Sequence, residues 1–322
     1  MLFRSPVPPV TSTFISLDYQ ITGFPDPIDL SRMFRQKTGS VVCASCGSLV
    51  GVNDDTCYTC GRRNPGLWGF GPVLRRFGND FGFTTVIVYG CVVLFALSLV
   101  LTVLSGGNLF AGSLFSLLGP NRLAYDALGA AGAYPVFVAN RWWTVLSAGW
   151  LHGGALHIFF NMMWVRQLGP AVEDMYGGAR MVIIYTISSL TGFLLSSFLA
   201  AYAAIPFFSG GVYTLGASAP IFGLLGALVH YGSRGGSSIV RSQALSYALT
   251  MGVFGLIMPG IDNAAHLGGF AGGYAASMWL DPLKRERMDH FIGAAVCLLA
   301  TVLSVAVSMF QTLPILFRYL RG

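Results

Sequence analysis

Charge is what this sequence has least of. Only 10% of its 322 residues are Asp, Glu, Lys or Arg and 54% are hydrophobic, whereas a soluble domain carries roughly 25% charged residues. Such a chain reads as a polytopic membrane protein. The net charge is +6; with so few charges, their places matter more than the total, and nucleic-acid binding is not expected. The first 80 residues lack any apolar run of the roughly 20 residues needed to span a bilayer. They also lack a signal peptide, because "MLFRSPVPPVTSTF" passes from one arginine into prolines and polar residues. Insertion is therefore expected from internal helices, and the expected setting is a bacterial inner membrane, with an organelle as the alternative. There is no H-E-x-x-H, which counts against a zinc hydrolase built on His152, His157 and His266. Two matching halves with broken helices are also missing, which counts against a transporter.

What is present divides into two materials. Residues 1–80 hold 8 of the 19 Lys/Arg and four of the six cysteines. They are read as a flexible segment, 1–40, a four-cysteine domain, 41–66, and a linker, 67–82. From 83 the chain is apolar, with candidate spans at 84–104, 150–168, 181–204, 213–231, 242–260 and 263–280. A seventh follows at 291–316. The expected fold is all-α and polytopic: a six-helix core at 83–281, then a seventh helix and tail at 282–322. The segment 105–141 is broken by Gly, Pro and Asn, and its "LFAGSLFSLLG" is too short to span and is expected in the interface. Placing the N-terminus in the cytoplasm leaves 15 Lys/Arg inside and 4 outside, a clear positive-inside pattern.

That orientation brings three polar features to one depth. The second, fourth and sixth spans all enter from the outer face, and near their starts stand "LHGGALHIFFN", "GASAP" and "DNAAHLGG". His152, His157, Asn161, Ser218 and His266 therefore lie in the outer half of the bilayer, where ionisable groups are costly and usually functional. A serine hydroxyl becomes a nucleophile when a neutral imidazole takes its proton, and the oxyanion that follows needs preorganised donors. His157 and Asn161, spaced i, i+4, share a helix face and can both donate. Gly269 and Gly273 follow His266 in a small-residue face of GxxxG form, which lets helix backbones approach closely. Pro220 places the helix start at about Ala219, with Ser218 at its mouth. Taken alone, Ser218 would be a packing serine and His266 a packing histidine; together with His157 and Asn161 they form a nucleophile, a base and two donors. Asp262 could orient His266 but is expected as a solvated cap of the sixth span. Glu173 and Asp174 are expected beyond the second span, too far to serve as an acid.

The stretches "RWWTVLSAGWLHGGALHIFFNMMWVRQLGPAVEDMYG", "GASAPIFGLLGA" and "AHLGGFAGG", in this order over roughly residues 81–281, resemble the rhomboid family of intramembrane serine proteases. The resemblance implies a Ser218–His266 dyad without a third acid, cleaving transmembrane segments of membrane proteins near the outer face. It implies oxyanion donors at His157 and Asn161, a supporting His152, Gly216 beside the nucleophile, Phe222 packed beside the base, and no cofactor for catalysis. The 105–141 segment matches the family's partly submerged first loop. The family's nucleophile motif is G-x-S-G, and Ala219 replaces the second glycine; its methyl group is expected either to narrow the oxyanion region or to shift substrate preference. Thr144 stands where the family often has the arginine that anchors the first loop, and Arg141 lies three residues earlier. The rival reading is a non-catalytic, client-binding relative on the same fold, against which the intact Ser218 and His266 argue.

In the N-terminal part, "CASCGSLVGVNDDTCYTCGRR" gives two C-x2-C pairs separated by ten residues. Cys43, Cys46, Cys57 and Cys60 suit a tetrahedral zinc ion in a compact ribbon, with glycines after Cys46 and Cys60 for the tight turns. Disulfides are disfavoured in the cytoplasm. The ion is read as structural; docking of a cytoplasmic partner is the minority reading. Cys91 and Cys297 are expected as packing residues.

Overall fold

The computed structural model describes residues 35–72, 82–110, 117–203, 205–235, 237–258 and 260–321. The expected flexible segment lies outside the described residues as far as 34, the linker does so over 73–81, and the interfacial "LFAGSLFSLLG" does so over 111–116.

The four-cysteine domain is a small hairpin. β1 (Ser40–Val42) and β2 (Leu49–Gly51) pair antiparallel with Val41 opposite Val50. Val41, Cys43, Val50, Val52 and Cys57 form its core. Each second cysteine is followed by a glycine in the left-handed region, Gly47 at φ +80° and Gly61 at φ +72°. Their amides close the two turns onto Cys43 O (3.1 Å) and Cys57 O (2.8 Å), a backbone shape that favours glycine.

Seven helices of 16 residues or more follow among the described residues: α1 (Phe83–Leu104), α4 (Ala155–Tyr176), α5 (Gly178–Tyr202), α6 (Ser218–Ser233), α7 (Ser238–Ile257), α8 (Asn263–Trp279) and α9 (Met288–Arg321). Two short helices, α2 (Arg122–Leu128) and α3 (Thr144–Ser147), lie between α1 and α4. α1, α5 and α9 are long and apolar enough to cross a membrane by length and composition. α6 and α8, with 16 and 17 residues, are shorter than the roughly 20 residues of a full span and are the most enclosed: Ala219 through His230 are all buried. α6 starts later than the 213 expected because Thr214 is extended and pairs with Ala131 through N–H···O bonds of 3.0 and 2.9 Å. α4 runs on to Tyr176, further than expected, until Gly177 (φ +91°) ends it and α5 begins. Glu173 therefore sits inside α4, where its carboxylate accepts the Thr84 amide (2.7 Å) at the start of α1.

Small residues set the helix spacings at the centre. A Cβ at Gly269 of α8 would lie 2.8 Å from the Ala219 carbonyl carbon and 3.1 Å from its Cα, and one at Gly273 would lie 2.5 Å from the Gly223 carbonyl carbon. From α6, a Cβ at Gly226 would meet the Tyr274 nitrogen at 2.9 Å. α5 joins the same contact, since a Cβ at Gly192 would meet Ala265 O at 2.7 Å. These distances are below any ordinary carbon contact, which is how small-residue faces bring backbones together.

The cysteine domain docks on the connection between α8 and α9. Met288 N–H donates to Ala44 O (2.9 Å), and Arg62 pairs with Asp289 (2.5 Å). Ala44 and Leu67 join the large core that includes Phe83, Tyr176, Met288 and Phe291. The same connection is tied to α5. Arg180 donates to Asp281 O (2.6 Å), and its amide donates to Glu286 (2.9 Å). Burial pushes the Glu286 carboxyl above its ordinary pKa, and the Arg180 amide and guanidinium oppose that rise.

Candidate active site and metal centre

The turn into α6 is built around Gly216, which has φ +134° and donates its amide to Ala148 O (2.9 Å). A Cβ there would lie 2.7 Å from His157 Nε2 and 3.6 Å from Ser218 Oγ. The backbone angle and the lack of space both call for glycine. They also show that His157 Nε2 and Ser218 Oγ converge on one point. Ser218 is half-buried and is the first residue of α6. The first amides of a helix have no intrahelical acceptor and carry the positive end of its dipole; Pro220 removes one of them, leaving those of Ser218 and Ala219.

His266 is buried on the first turn of α8. Its ring stacks on Phe222 with centroids 4.2 Å apart and planes at 14°. Phe222 lies one turn after Ser218, and Gly269 one turn after His266, so the closest approach of α6 and α8 holds the two residues at the same end of the pair. His266 Nδ1 is buried and has no hydrogen-bond partner among the described residues. Asp262, four residues earlier, is engaged elsewhere. It caps α8 by accepting the Ala265 amide (2.9 Å), and it also accepts from Thr214 Oγ1 (2.6 Å) and from Ser196 Oγ. It is thus more than the solvated cap expected: it ties α8 to α5 and to the segment leading into Ser218.

His157 lies on the first turn of α4, and its Nδ1 accepts the Gly153 amide (3.1 Å). That bond assigns the proton of the neutral ring to Nε2 and makes Nε2 a donor. Asn161, one turn on, donates one amide hydrogen to His157 O (2.9 Å), leaving the other for a ligand. His152 precedes α4 rather than lying within it; it is buried, and its ring meets that of His157 edge-on at 5.2 Å. Gly273 lies on the same face of α8 as Gly269, two turns below His266.

Two departures from the resemblance find physical answers. The Ala219 methyl group is directed at α5, since a Cβ on Gly192 would lie 2.9 Å from it. It is fully buried there, so the expected narrowing of the oxyanion region is replaced by a filled gap beside Gly192. The loop anchor is Arg141: it donates to Asp126 O (2.7 Å) on α2 and pairs with the Asp126 carboxylate at 4.0 Å. Thr144 Oγ1 donates back to Arg141 O (2.8 Å). Sequence reasoning missed Asp262 as a cross-link, and also the Ala148 carbonyl, a backbone acceptor that side-chain identity does not reveal.

The four sulfurs of Cys43, Cys46, Cys57 and Cys60 lie within 4.8 Å of one another. Cys43 and Cys60 are 3.8 Å apart, and Cys46 and Cys57 are 3.6 Å apart. A tetrahedral ion with zinc–sulfur bonds of about 2.3 Å separates its sulfurs by about 3.8 Å, so the donor set fits zinc. Among the described residues this is the one group of three or more metal-ligating side chains gathered so closely; His152, His157 and His266 do not form a second.

Residues 139–283 match the family model described as a rhomboid domain. RHOMBOID-like protein 4 of Arabidopsis thaliana is 31% identical over 166 residues, which are 49% of this chain and 39% of that protein. Rhomboid protease GluP of Bacillus subtilis (strain 168) is 32% identical over 164 residues, 50% of this chain and 30% of that protein. The Arabidopsis protein named Inactive RHOMBOID-like protein 8 is 26% identical over 214 residues, 61% of this chain and 58% of that protein. The chain thus spans less than half the length of the first two relatives. The matched residues contain α4 through α8 with Ser218, His266, His157 and Asn161, and the apolar helices around them mark a membrane protein. Residues 139–283 of this chain thus match the rhomboid domain and its relatives, and they stand behind a four-cysteine domain.

Proposed function

We propose that the chain is an intramembrane serine endopeptidase that cleaves transmembrane segments of membrane proteins, with Ser218 as nucleophile and His266 as base. The observation that carries this reading is the convergence of His157 Nε2 and Ser218 Oγ on Gly216, beside a His266 ring fixed by Phe222. His266 Nε2 takes the Ser218 proton as Oγ attacks a peptide carbonyl carbon. The oxyanion is held by His157 Nε2–H, Asn161 Nδ2–H and the amides at the start of α6. The proton passes to the leaving amine, and water then hydrolyses the acyl-enzyme with His266 again as base.

Depth supports the same reading. At about 1.5 Å per residue, the 16 residues of α6 span about 24 Å, against a hydrocarbon core of about 30 Å. With the inner end of α6 at one interface, Ser218 stands several ångströms below the other, in reach of water and of a substrate helix end. The charge pattern supports a cytoplasmic N-terminus and cysteine domain, with Ser218 toward the outer face. Zinc in the cysteine domain would hold Cys43, Cys46, Cys57 and Cys60 together and has no step in the reaction.

The test is cleavage of a model transmembrane substrate in liposomes by the wild type, Ser218→Ala and His266→Ala. Cleavage by the wild type alone, unaffected by chelators, supports the dyad. Cleavage that survives Ser218→Ala refutes it. A folded wild type that binds substrates without cutting them favours the second reading, a non-catalytic binding protein, which the inactive Arabidopsis relative keeps in view.

A further inference from the structure

The seventh long helix carries a polar seam whose hydroxyls do not all behave alike. Thr301, Ser304, Ser308 and Thr312 are all buried, while Val302, Leu303 and Phe310 of the same helix are exposed. A hydroxyl in a membrane helix usually satisfies itself on the carbonyl one turn earlier. Thr301 does so on Cys297 O (3.0 Å) and Thr312 on Ser308 O (2.9 Å). Ser304 and Ser308 reach across to another part of the chain instead. Ser304 Oγ donates to Trp143 O (2.8 Å) and lies 2.9 Å from Ser147 Oγ. Ser308 Oγ accepts from Trp143 Nε1 (3.1 Å).

These contacts lead to the site in two short steps. Ser147 is followed by Ala148, whose carbonyl accepts the Gly216 amide (2.9 Å). Ser147 Oγ also donates to Gly129 O (2.7 Å), and a Cβ at Gly129 would lie 2.7 Å from Ser308 Oγ. Two residues on, Ala131 pairs with Thr214. The two backbone segments that hold Thr214–Gly216 are thus both gripped by α9, and Gly216 is the point on which His157 and Ser218 converge.

We propose that Ser304 and Ser308 are positioning residues: through Trp143, Ser147 and Gly129, α9 fixes the Gly216 turn and with it the reactivity of Ser218. This rests on the dyad reading above. These hydrogen bonds join separate segments of the chain, and losing two relaxes the turn without removing any group that touches substrate.

The experiment uses the full chain in nanodiscs and compares wild type, Ser304→Ala/Ser308→Ala, Ser304→Thr, and the seam controls Thr301→Ala and Thr312→Val. Three quantities are read: the rate at which a fluorophosphonate labels Ser218, kcat and KM for a transmembrane substrate, and amide hydrogen exchange at Gly216. The double variant should label and turn over about tenfold more slowly with KM unchanged, and should lose exchange protection at Gly216. Ser304→Thr should stay near wild type, and both controls should match wild type in all three. Unchanged Gly216 exchange in the double variant, or equal loss of kcat in the controls, overturns the proposal. A wild type that neither labels nor cleaves overturns the dyad reading instead, while Gly216 exchange still reports whether α9 holds the turn.

Discussion

The close backbone approach of Gly269 to Ala219 supplies the most direct prediction. In Gly269→Ala the new Cβ would lie 2.8 Å from the Ala219 carbonyl carbon and 3.1 Å from its Cα. Ordinary carbon contacts begin near 3.5 Å, and the Ala219 carbonyl oxygen lies nearer still to the new Cβ, so α6 and α8 must separate by about 1 Å or more. The atoms struck are all backbone, so no rotamer change relieves the clash. His266 stands one turn from Gly269, and Ser218 is the residue before Ala219; the shift therefore opens the gap between base and nucleophile. A displacement of about 1 Å in a catalytic pair can reduce the rate by about 100-fold, and overpacking of this kind destabilises by about 1–3 kcal/mol. The control is Gly252→Ala on α7, where an added Cβ meets nothing within 4 Å. The same change there should stabilise by about 0.5–1 kcal/mol and leave cleavage alone. The assay is cleavage of a transmembrane substrate in liposomes, paired with thermal unfolding of both variants. If Gly269→Ala cleaves within threefold of wild type, the close contact does not set the geometry of the dyad and the reasoning fails.

Ala219→Gly should not restore a wider oxyanion region, because the methyl group faces Gly192. The expected result is a loss of about 1 kcal/mol in unfolding experiments from the void and the added chain freedom, with no gain in kcat. Gly216→Ala should label with a fluorophosphonate at least about 100-fold more slowly than wild type, since it combines a strained φ with a Cβ against His157. The purified chain should contain one zinc ion by metal analysis, and Cys57→Ser should remove it and make residues 41–66 sensitive to protease. Arg180→Met should lower stability by about 1–2 kcal/mol at neutral pH, because it removes the guanidinium beside the half-buried Glu286 carboxylate and its bond to Asp281 O, while the residue-180 amide still holds Glu286. Burial already raises the Glu286 pKa, and losing the guanidinium raises it further. The folded state then holds the proton more tightly than the unfolded chain, so the deficit should shrink as the pH falls through the raised pKa. A deficit that grows on acidification would contradict this.

The candidate catalytic groups were legible in the sequence because a bilayer makes them conspicuous. An imidazole or a carboxamide in an apolar helix has to be explained, and five such polar positions fell at one depth by charge counting alone. The four cysteines were legible for a similar reason: their spacing is a coordination geometry written along the chain. The Gly269 face gave away the helix that must approach α6. The helix ends were read less well. The sequence around 213–217 looks like helix by hydropathy, yet Thr214 is drawn out to pair with Ala131, a partner more than eighty residues away. Likewise "VEDMYG" looks like a charged exit from the membrane, but Glu173 stays helical because the start of α1 offers it the Thr84 amide.

What stayed hidden is the framework that holds the chemistry, and the reason is a property of hydroxyl groups. A serine or threonine in a membrane helix can always bond its own backbone, so its presence implies no partner. Thr301 and Ser304 look equivalent on paper; one is self-satisfied and the other holds Trp143 and Ser147. Asp262 shows the opposite case. A carboxylate four residues before an imidazole invites the reading of a third catalytic acid. Its two oxygens are instead occupied by Ser196, Thr214 and the Ala265 amide, which leaves His266 without a carboxylate partner and places the burden of orienting its ring on the stacked Phe222. A dyad held by packing depends on the helices around it keeping their spacing. That is why the small-residue contacts of α5, α6 and α8, and the grip of α9 on the Gly216 turn, belong to the site as much as the residues that would touch a substrate.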